Sequence, residues 1–178
     1  MQNLLIRESV AADVPAITAI YAHWVINGPA SFEIEAPDVA EMARRRDAVT
    51  GAGFPYVVAT GPDGVLGYAY ASAYRTRPAY RFTVENSVYV APGARQTGIG
   101  SALLGAVIAR CAAAGFRQMV AVIGDSANAA SIALHQRAGF TQAGLIQAAG
   151  WKHGRWVDSV LMQRALGLGS AATPIETP

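Results

Sequence analysis

The sequence has few of the features that mark disulfide-linked or membrane-spanning proteins. Its 178 residues include one cysteine, Cys111, so no disulfide can form within the chain, which is typical of a reducing compartment. No uninterrupted apolar run is long enough to span a bilayer. Charges at Arg7 and Glu8 interrupt the N-terminus before a signal-like run develops. These absences predict a cytoplasmic protein without a membrane partner.

Charge is also scarce. Only 15% of the residues are charged and the net charge is +2, which gives no general case for a nucleic-acid partner. The sequence contains no Walker lysine, no clustered carboxylates of the metal-binding type and no internal repeat, so we expect neither a nucleotide-phosphate enzyme nor a metal site. A hydrophobic content of 52% predicts a globular protein. We expect a single domain over residues 1–166 and a loose tail over residues 167–178.

Hydrophobic periodicity and turn residues predict alternating helices and strands. Cys111 lies on an apolar helix face, where a small buried residue is expected rather than a nucleophile. Residues 44–46 are all arginine, which predicts a solvated helix face, with a binding patch as the alternative. Strands are expected at 4–7, 56–60, 65–74, 82–90, 117–123, 141–149 and 156–164, the last two joined by a loop over 150–154. Helices are expected after Asp13, after Pro37, from the end of the loop at Gly100 to Gly115, and at 129–138.

One stretch, residues 86–115, is predicted to form a strand, a glycine-containing loop and then a helix. The loop reads Arg95-Gln96-Thr97-Gly98-Ile99-Gly100, and the apolar helix pattern follows it. Glycines allow a ligand to approach the backbone, and the first turn of a helix offers unpaired N–H groups at the positive end of the helix dipole. The pattern therefore predicts a phosphate-binding loop, with an ordinary tight turn as the alternative.

The strand before this loop carries a carboxylate. Alternation places Thr83, Glu85, Ser87 and Tyr89 on one face and the apolar positions, with Asn86, on the other, which we expect to face the core. A carboxylate in a strand that leads into a phosphate-binding loop is unusual, and a structural ion pair with a nearby arginine is one interpretation of Glu85.

Two further segments carry polar side chains that suit a site. The basic, aromatic connection over residues 75–81 suits a loop that faces a small anion, or a solvent-exposed connection. His135 follows Asn128 by two helical turns, so both lie near one helix face, although a lone helical histidine is usually structural.

The order of these elements carries a resemblance to a known family. The strand SVYV, the loop RQTGIG, the strand VAVIG, Asn128 and the segment LHQRAGF together resemble the GNAT superfamily of N-acetyltransferases. The stretches ASFE, GYAY, RPAYR, TVE, GWKHG and LMQR are more narrowly similar to its phosphinothricin N-acetyltransferase branch. The resemblance covers nearly the whole chain.

The resemblance implies an α/β (α+β) fold with a mixed, mostly antiparallel central sheet, flanked by helices and splayed open where acetyl-CoA binds. The backbone of Val88 and Val90 would hold the acetyl-pantetheine arm, and the loop would bind pyrophosphate through its N–H groups. The implied cofactor-binding residues are Val88, Tyr89, Val90, Arg95, Gln96, Thr97, Gly98, Ile99, Gly100, Ser101 and Asn128.

The resemblance also implies direct acetyl transfer to an amine. Glu85 would be the general base, acting through a water molecule, and a backbone N–H near Val88 would stabilise the oxyanion. His135 would serve as acid, relay or cofactor contact, with Tyr89 as a second catalytic candidate. Arg75 and Arg77 would bind a substrate carboxylate or phosphinate, and Phe32, Glu33 and Trp24 would wall the acceptor pocket. A homodimer is expected from the same likeness.

The favoured function is acetyl-CoA-dependent N-acetylation of a small amino acid analogue, such as phosphinothricin, methionine sulfoximine or methionine sulfone. One rival is an N-acetyltransferase for an unrelated amine, such as a polyamine or a protein N-terminus. A second is a CoA-binding sensor without turnover, against which Glu85 and His135 argue because a pure binder needs neither.

Overall fold

A seven-stranded sheet organises the chain, and the computed structural model describes residues 4–174 of it. The strands follow the order β1-β2-β3-β4-β5-β7-β6, and only β4 and β5 run parallel. The strands are β1 (Leu5–Glu8), β2 (Tyr56–Gly61), β3 (Gly64–Ala73), β4 (Thr83–Val90), β5 (Gln118–Gly124), β6 (Thr141–Lys152) and β7 (Arg155–Ala165). The helices are α1 (Val14–Asn27), α2 (Val39–Gly51), α3 (Ile99–Ala113) and α4 (Ala129–Arg137).

The sheet opens between its two parallel strands. Their pairing runs from Thr83 and Gln118 to Asn86 and Ala121, after which β4 continues to Val90 without β5 beside it. β5 stays paired with β7 along its whole length, so it is the β4–β5 pairing that ends. The expected mixed, mostly antiparallel sheet with an opening beside β4 is confirmed.

Two cores cover the two faces of the sheet. Alternation along β2 sends Val57 into the core under α3 and Val58 into the core under α1 and α2. The α3 core contains Cys111, which is fully buried, as predicted. This core includes strands from both halves of the sheet, so the opening lies above a continuous apolar layer.

The closing hairpin is tighter than predicted. The expected loop over residues 150–154 is wrong, because β6 continues to Lys152 and β7 begins at Arg155. His153 and Gly154 form the turn with φ values of 51° and 71°, the conformation that suits a two-residue hairpin.

The triple arginine is only partly a solvated face. Arg44 is exposed and pairs with Glu41, as expected of a helix surface. Arg45 reaches Glu33 across the neighbouring loop, and Arg46, whose side chain is 14% exposed, donates to Ser9. The prediction of a solvated face is therefore wrong for Arg46, which joins α2 to the chain after β1.

The described part of the predicted tail contains one short 3₁₀ turn, Gly169–Ala171, and the carbonyl of Thr173 accepts a hydrogen bond from Arg117. Residues 175–178 lie outside the described residues, and the boundary after residue 166 stays a prediction. Between residues 4 and 174, no helix is both long and apolar enough to cross a membrane.

Candidate active site

The opening between β4 and β5 leaves backbone groups of β4 without a strand partner. The ladder ends at Asn86, so the N–H and C=O groups that Val88 and Val90 turn toward β5 meet no strand. Trp24 Nε1 donates to the carbonyl oxygen of Val90 at 2.9 Å, which satisfies one of them. The remaining groups can pair with an extended ligand that contains amides.

A groove of about 640 Å³ runs beside this edge of β4 to the N-terminus of α3 and to α4. Nine of the eleven predicted cofactor residues line it: Val88, Tyr89, Val90, Arg95, Gln96, Gly98, Gly100, Ser101 and Asn128. Thr97 and Ile99 do not. The Thr97 hydroxyl donates to the carbonyl of Ala94, and the side chain of Ile99 is buried in the α3 core.

The start of α3 forms one end of the groove. Gly98 caps the helix with φ 85°, and the first intrahelical bond runs from Ala102 N to Gly98 O. The N–H groups of Ile99, Gly100 and Ser101 precede that bond, so they are available to an anion at the positive end of the dipole. A Cβ at Gly100 would approach Leu134 and Val90 to 3.5 and 3.6 Å and would narrow the groove.

Two arginines add positive charge to the groove. The Arg95 guanidinium lies 5.3 Å from the centroid of the Trp24 ring, a cation–π distance. Trp24, predicted as a wall of the acceptor pocket, thus lies on the groove. Arg137, at the end of α4, also lines the groove, and its side chain forms no hydrogen bond or ion pair within the described residues. The sequence analysis missed Arg137, although it lies only two residues after His135.

A smaller cavity of about 60 Å³ continues into the opening of the sheet. It is lined by Ala30, residues 86–89 of β4, residues 121–124 of β5, Asn128, Ser131 and His135. Asn128 and Ala30 line both cavities, so the two spaces meet beside them. Asn128 is fixed there as the N-cap of α4, where its side chain accepts from Ser131 N at 3.2 Å.

His135 is held between two hydrogen-bond acceptors. Its Nδ1 lies 2.8 Å from the carbonyl oxygen of Ser131, and its Nε2 lies 3.1 Å from Asn86 Oδ1. Both partners are oxygens that only accept, so both contacts are hydrogen bonds when the ring carries two protons. The shorter bond keeps the proton on Nδ1, which leaves Nε2 as the atom that gains or loses one. Burial lowers the pKa of His135, and the bond to Ser131 opposes that shift.

Asn86 is fixed by the sheet itself. Its Nδ2 donates to the carbonyl oxygen of Val120 at 3.1 Å, which turns Oδ1 toward His135. The residue is 6% exposed on the face predicted to point inward. A polar residue at a core-facing strand position was a signal that the sequence analysis did not use.

Glu85 lies on the opposite face of β4 and is half-buried. Burial raises the pKa of Glu85, and the nearby charge of Arg75 lowers it by a smaller amount. Tyr70, on the adjacent strand, has its pKa raised mainly by burial and further by the charges of Glu85 and Glu33. Tyr70, which pairs with Ser87 in the sheet, thus responds to the charges of both carboxylates, a second site feature that the sequence analysis missed.

The segment after α1 carries Phe32 and Glu33. The Tyr21 hydroxyl lies 2.8 Å from Ser31 Oγ and donates to Glu33 Oε1 at 2.9 Å, and Arg45 Nη1 donates to the same oxygen at 2.6 Å. Glu33 is thus already ion-paired within the protein. Phe32 is 40% exposed and lies against β6 and the end of β5.

Arg75 and Arg77 lie on the exposed connection between β3 and β4. Arg75 stacks on Tyr74 with its guanidinium 5.1 Å from the ring centroid, and its charge acts on Glu85. Arg77 precedes the 3₁₀ turn Pro78–Tyr80. Of the two arginines, Arg75 is the one whose charge lowers the pKa of Glu85.

Tyr89 belongs to an aromatic cluster on the Glu85 face. Its ring lies 5.0 Å from that of Tyr21 and 5.3 Å from that of Tyr68. Burial raises the pKa of Tyr89 well above its ordinary value, so the hydroxyl stays protonated at neutral pH. No group of three or more His, Cys, Asp or Glu residues in the described chain could hold a metal ion.

Comparison with known proteins shows the family of the chain. The sequence matches the Acetyltransferase (GNAT) family over residues 17–140. It is 54% identical to the phosphinothricin N-acetyltransferase of Alcaligenes faecalis over 162 residues, 91% of this chain and 82% of that protein. It is 43% identical to an L-methionine sulfoximine/L-methionine sulfone acetyltransferase of Pseudomonas paraeruginosa over 159 residues, 89% of this chain and 92% of that protein.

A solved structure extends the likeness to three dimensions. It is a GNAT superfamily phosphinothricin acetyltransferase from Sinorhizobium meliloti in complex with AcCoA. The two chains superpose with a TM-score of 0.94 at 54% identity, over 97% of this chain and 94% of the other.

Proposed function

The chain belongs to the acetyltransferase (GNAT) family and is an N-acetyltransferase, and we propose that it acetylates the α-amine of a small amino acid analogue of the phosphinothricin, methionine sulfoximine or methionine sulfone type. The observation that carries the proposal is the position of Glu85. A half-buried carboxylate of raised pKa lies on the strand that borders the groove, one residue from the partner of His135.

Acetyl-CoA is the proposed cosubstrate, and the groove fits it. The free backbone groups of Val88 and Val90 suit the amides of an extended arm, and the first turn of α3 suits its phosphates. Arg95 and Arg137 supply charge to phosphate groups. When bound, acetyl-CoA supplies an acetyl thioester, the activated group that an amine can attack.

Glu85 is the proposed general base. An amine is mostly protonated at neutral pH and cannot attack until it loses a proton. A carboxylate whose pKa is raised by burial takes up that proton more readily than a solvated one. Glu85 acts through a water molecule in this proposal, because it precedes Val88 by three residues, about 10 Å along a strand.

Arg75 is the proposed partner of the acceptor's acidic group. Its charge already acts on Glu85, so a carboxylate or phosphinate bound to Arg75 would keep the amine of the same small molecule near the base. Arg77 is assigned to the same role on the neighbouring turn, and Phe32 and Glu33 to the wall of the pocket. A positively charged loop disfavours a polyamine acceptor.

His135 is the proposed proton donor to the thiolate that leaves. Its Nε2 is the titrating atom, and it lies at the smaller cavity beside Val88. A neutral amide oxygen holds that proton more weakly than a thiolate would, since charge-assisted hydrogen bonds are stronger. Tyr89 is the less favoured donor, because its ring packs with Tyr21 and Tyr68 on the other face of β4.

We also propose that the protein works as a homodimer through the β6–β7 hairpin, whose strand β6 is the edge of the sheet. This hairpin exposes four large apolar side chains, Leu145, Ile146, Trp151 and Trp156, each 43–61% accessible. A long edge strand with apolar side chains is a surface that proteins usually cover. The cytoplasmic location remains a prediction.

Release of the CoA thiol from acetyl-CoA, measured over a panel of amines, tests the proposed function. The panel contains phosphinothricin, methionine sulfoximine, methionine sulfone, ordinary amino acids and spermidine. We expect turnover on the first three compounds. Turnover on spermidine but on no amino acid would replace the acceptor and keep the family. Binding of acetyl-CoA without turnover on any amine would favour a CoA-binding sensor.

A further inference from the structure

Lys152 is the only lysine in a sequence that contains thirteen arginines, and it is buried. It ends β6, with 4% of its surface exposed. A buried ammonium group is costly unless its protons are bonded. Lys152 Nζ donates to the carbonyl oxygens of Gly28 at 3.0 Å and Ser31 at 2.7 Å, more than 120 residues earlier in the chain.

The segment held in this way, residues 28–33, also lies against two glycines. A Cβ at Gly124 would overlap the carbonyl oxygen of Pro29, and a Cβ at Gly150 would overlap the ring of Phe32. The ends of β5 and β6 are therefore shaped to receive the segment. A lysine suits this position because its compact ammonium group can donate in three directions, whereas a guanidinium group is a larger, planar fork.

The segment lies where the two cavities meet. Ala30, between the two carbonyl groups that Lys152 binds, lines both the large groove and the small cavity. Phe32 and Glu33, at the end of the segment, are the proposed wall of the acceptor pocket. The position of the segment therefore defines one side of the space in which the acetyl group and the amine must meet.

We propose that Lys152 is a positioning residue for acetyl transfer, which fixes the 28–33 segment over the junction of the two cavities by bridging the carbonyl groups of Gly28 and Ser31. This inference rests on the proposed function for its kinetic consequence, but not for its structural one. Lys152 does not contact the reacting atoms; it acts through the segment.

Hydrogen–deuterium exchange of Lys152→Met tests the structural part without any substrate. We expect the amides of residues 28–33 to exchange at least about tenfold faster than in the wild type, with residues 83–90 unchanged. The side chain of Lys152→Gln is shorter but still donates hydrogen bonds, so its exchange rate at residues 28–33 should lie between those of the wild type and Lys152→Met. This variant decides the test if Lys152→Met is insoluble. Arg44→Met removes an exposed cation from α2 and should match the wild type.

Kinetics test the consequence on the same variants. We expect kcat/KM for the acceptor to fall about tenfold or more in Lys152→Met, while the Kd of acetyl-CoA changes by less than about threefold. Unchanged amide exchange at residues 28–33 in Lys152→Met would overturn the proposal. It would also be overturned if exchange at residues 83–90 became faster by the same factor and acetyl-CoA bound equally more weakly, because both changes together indicate general unfolding. If the wild type acetylates none of the amines, the proposed function fails, and the exchange result still decides the role of Lys152.

Discussion

At the scale of single residues, the proposed chemistry is divided between the two faces of one strand. Adjacent residues of a strand point in opposite directions, so Glu85 faces the aromatic cluster while Asn86 faces His135. The proposed base and the proposed proton donor are thereby kept apart. Two groups with opposite tasks can then hold pKa values that their own surroundings determine.

Asn86→Asp tests the role assigned to His135. A carboxylate in place of Asn86 Oδ1 would lie beside Nε2 and favour the imidazolium, so the pKa of His135 should rise from its lowered value. Because the proposed donor must be protonated, activity should persist to higher pH than in the wild type. The alkaline limb of the kcat–pH profile is the measurement.

The matched control is Asn27→Asp, a change at an exposed asparagine whose side chain bonds His23. It should leave the alkaline limb in place. If kcat of Asn86→Asp is retained and falls at the same alkaline pH as in the wild type, the proton does not come from His135.

The sequence identified residues whose signals are local. The loop glycines, the alternation on β4 and the two-turn spacing between Asn128 and His135 all depend on neighbours a few residues away. Lys152 and the Trp24–Val90 bond join segments 124 and 66 residues apart, and no periodicity encodes such a pairing. For these residues the remaining signal in the sequence was the amino acid type itself: Lys152 is the single lysine, and Asn86 is a polar residue among core-facing strand positions.

At the scale of elements, the 28–33 segment packs closely against the end of β5 at Gly124. A single methyl group added at Gly124 tests this contact. Gly124→Ala would force a methyl group against a backbone oxygen, which cannot rotate away. We expect a loss of about 1–3 kcal/mol in the free energy of unfolding, together with lower acceptor turnover.

Gly105→Ala is the matched control, since Gly105 is exposed on α3 and a Cβ there meets nothing within 4 Å. It should stabilise the protein by roughly 0.5–1 kcal/mol. Denaturant unfolding gives both values. Gly124→Ala at wild-type stability and activity would show that the segment moves freely.

Elements with strong periodicity were predicted well, but the turn between β6 and β7 was not. Helix α3 and strands β2 to β5 lie within about two residues of the expected ranges, because each has a continuous apolar pattern. The β6–β7 turn was misplaced because His153 adopts positive φ, where a side chain is uncommon, and the wider stretch GWKHG resembles a loop. Arg46 was assigned to solvent because its partner, Ser9, precedes α1.

At the scale of the molecule, the groove exists because two half-sheets are joined by a short parallel ladder. Four residue pairs connect β4 to β5, while the α3 core continues beneath both halves. The apolar layer stabilises the join, so the sheet can open above it without separating. Ligand sites often lie where strands diverge in this way.

The proposed dimer is tested by a charge at the exposed edge. Ile146→Glu should prevent association because burying an unpaired carboxylate is costly, whereas Ile34→Glu, at a site 68% exposed outside the edge, should not. Analytical ultracentrifugation should give twice the chain mass of 18.6 kDa for the wild type and the control, and one chain mass for Ile146→Glu. A wild type that sediments as one chain at micromolar concentration would contradict the proposal.

The most direct test of the central claim is the pH dependence of kcat/KM for phosphinothricin in the wild type and Glu85→Gln. Burial raises the pKa of Glu85, and a protonated Glu85 cannot accept a proton. Wild-type kcat/KM should therefore fall at acid pH as Glu85 becomes protonated, at a pH above the usual carboxyl pKa of about 4.3.

Glu85→Gln should lower kcat/KM by about 10²–10⁴-fold at neutral pH without weakening acetyl-CoA binding, and Glu8→Gln, an exposed carboxyl change on β1, should not. The predicted result is loss of both the rate and the acid limb. A Glu85→Gln enzyme that keeps the wild-type rate and limb would contradict the account.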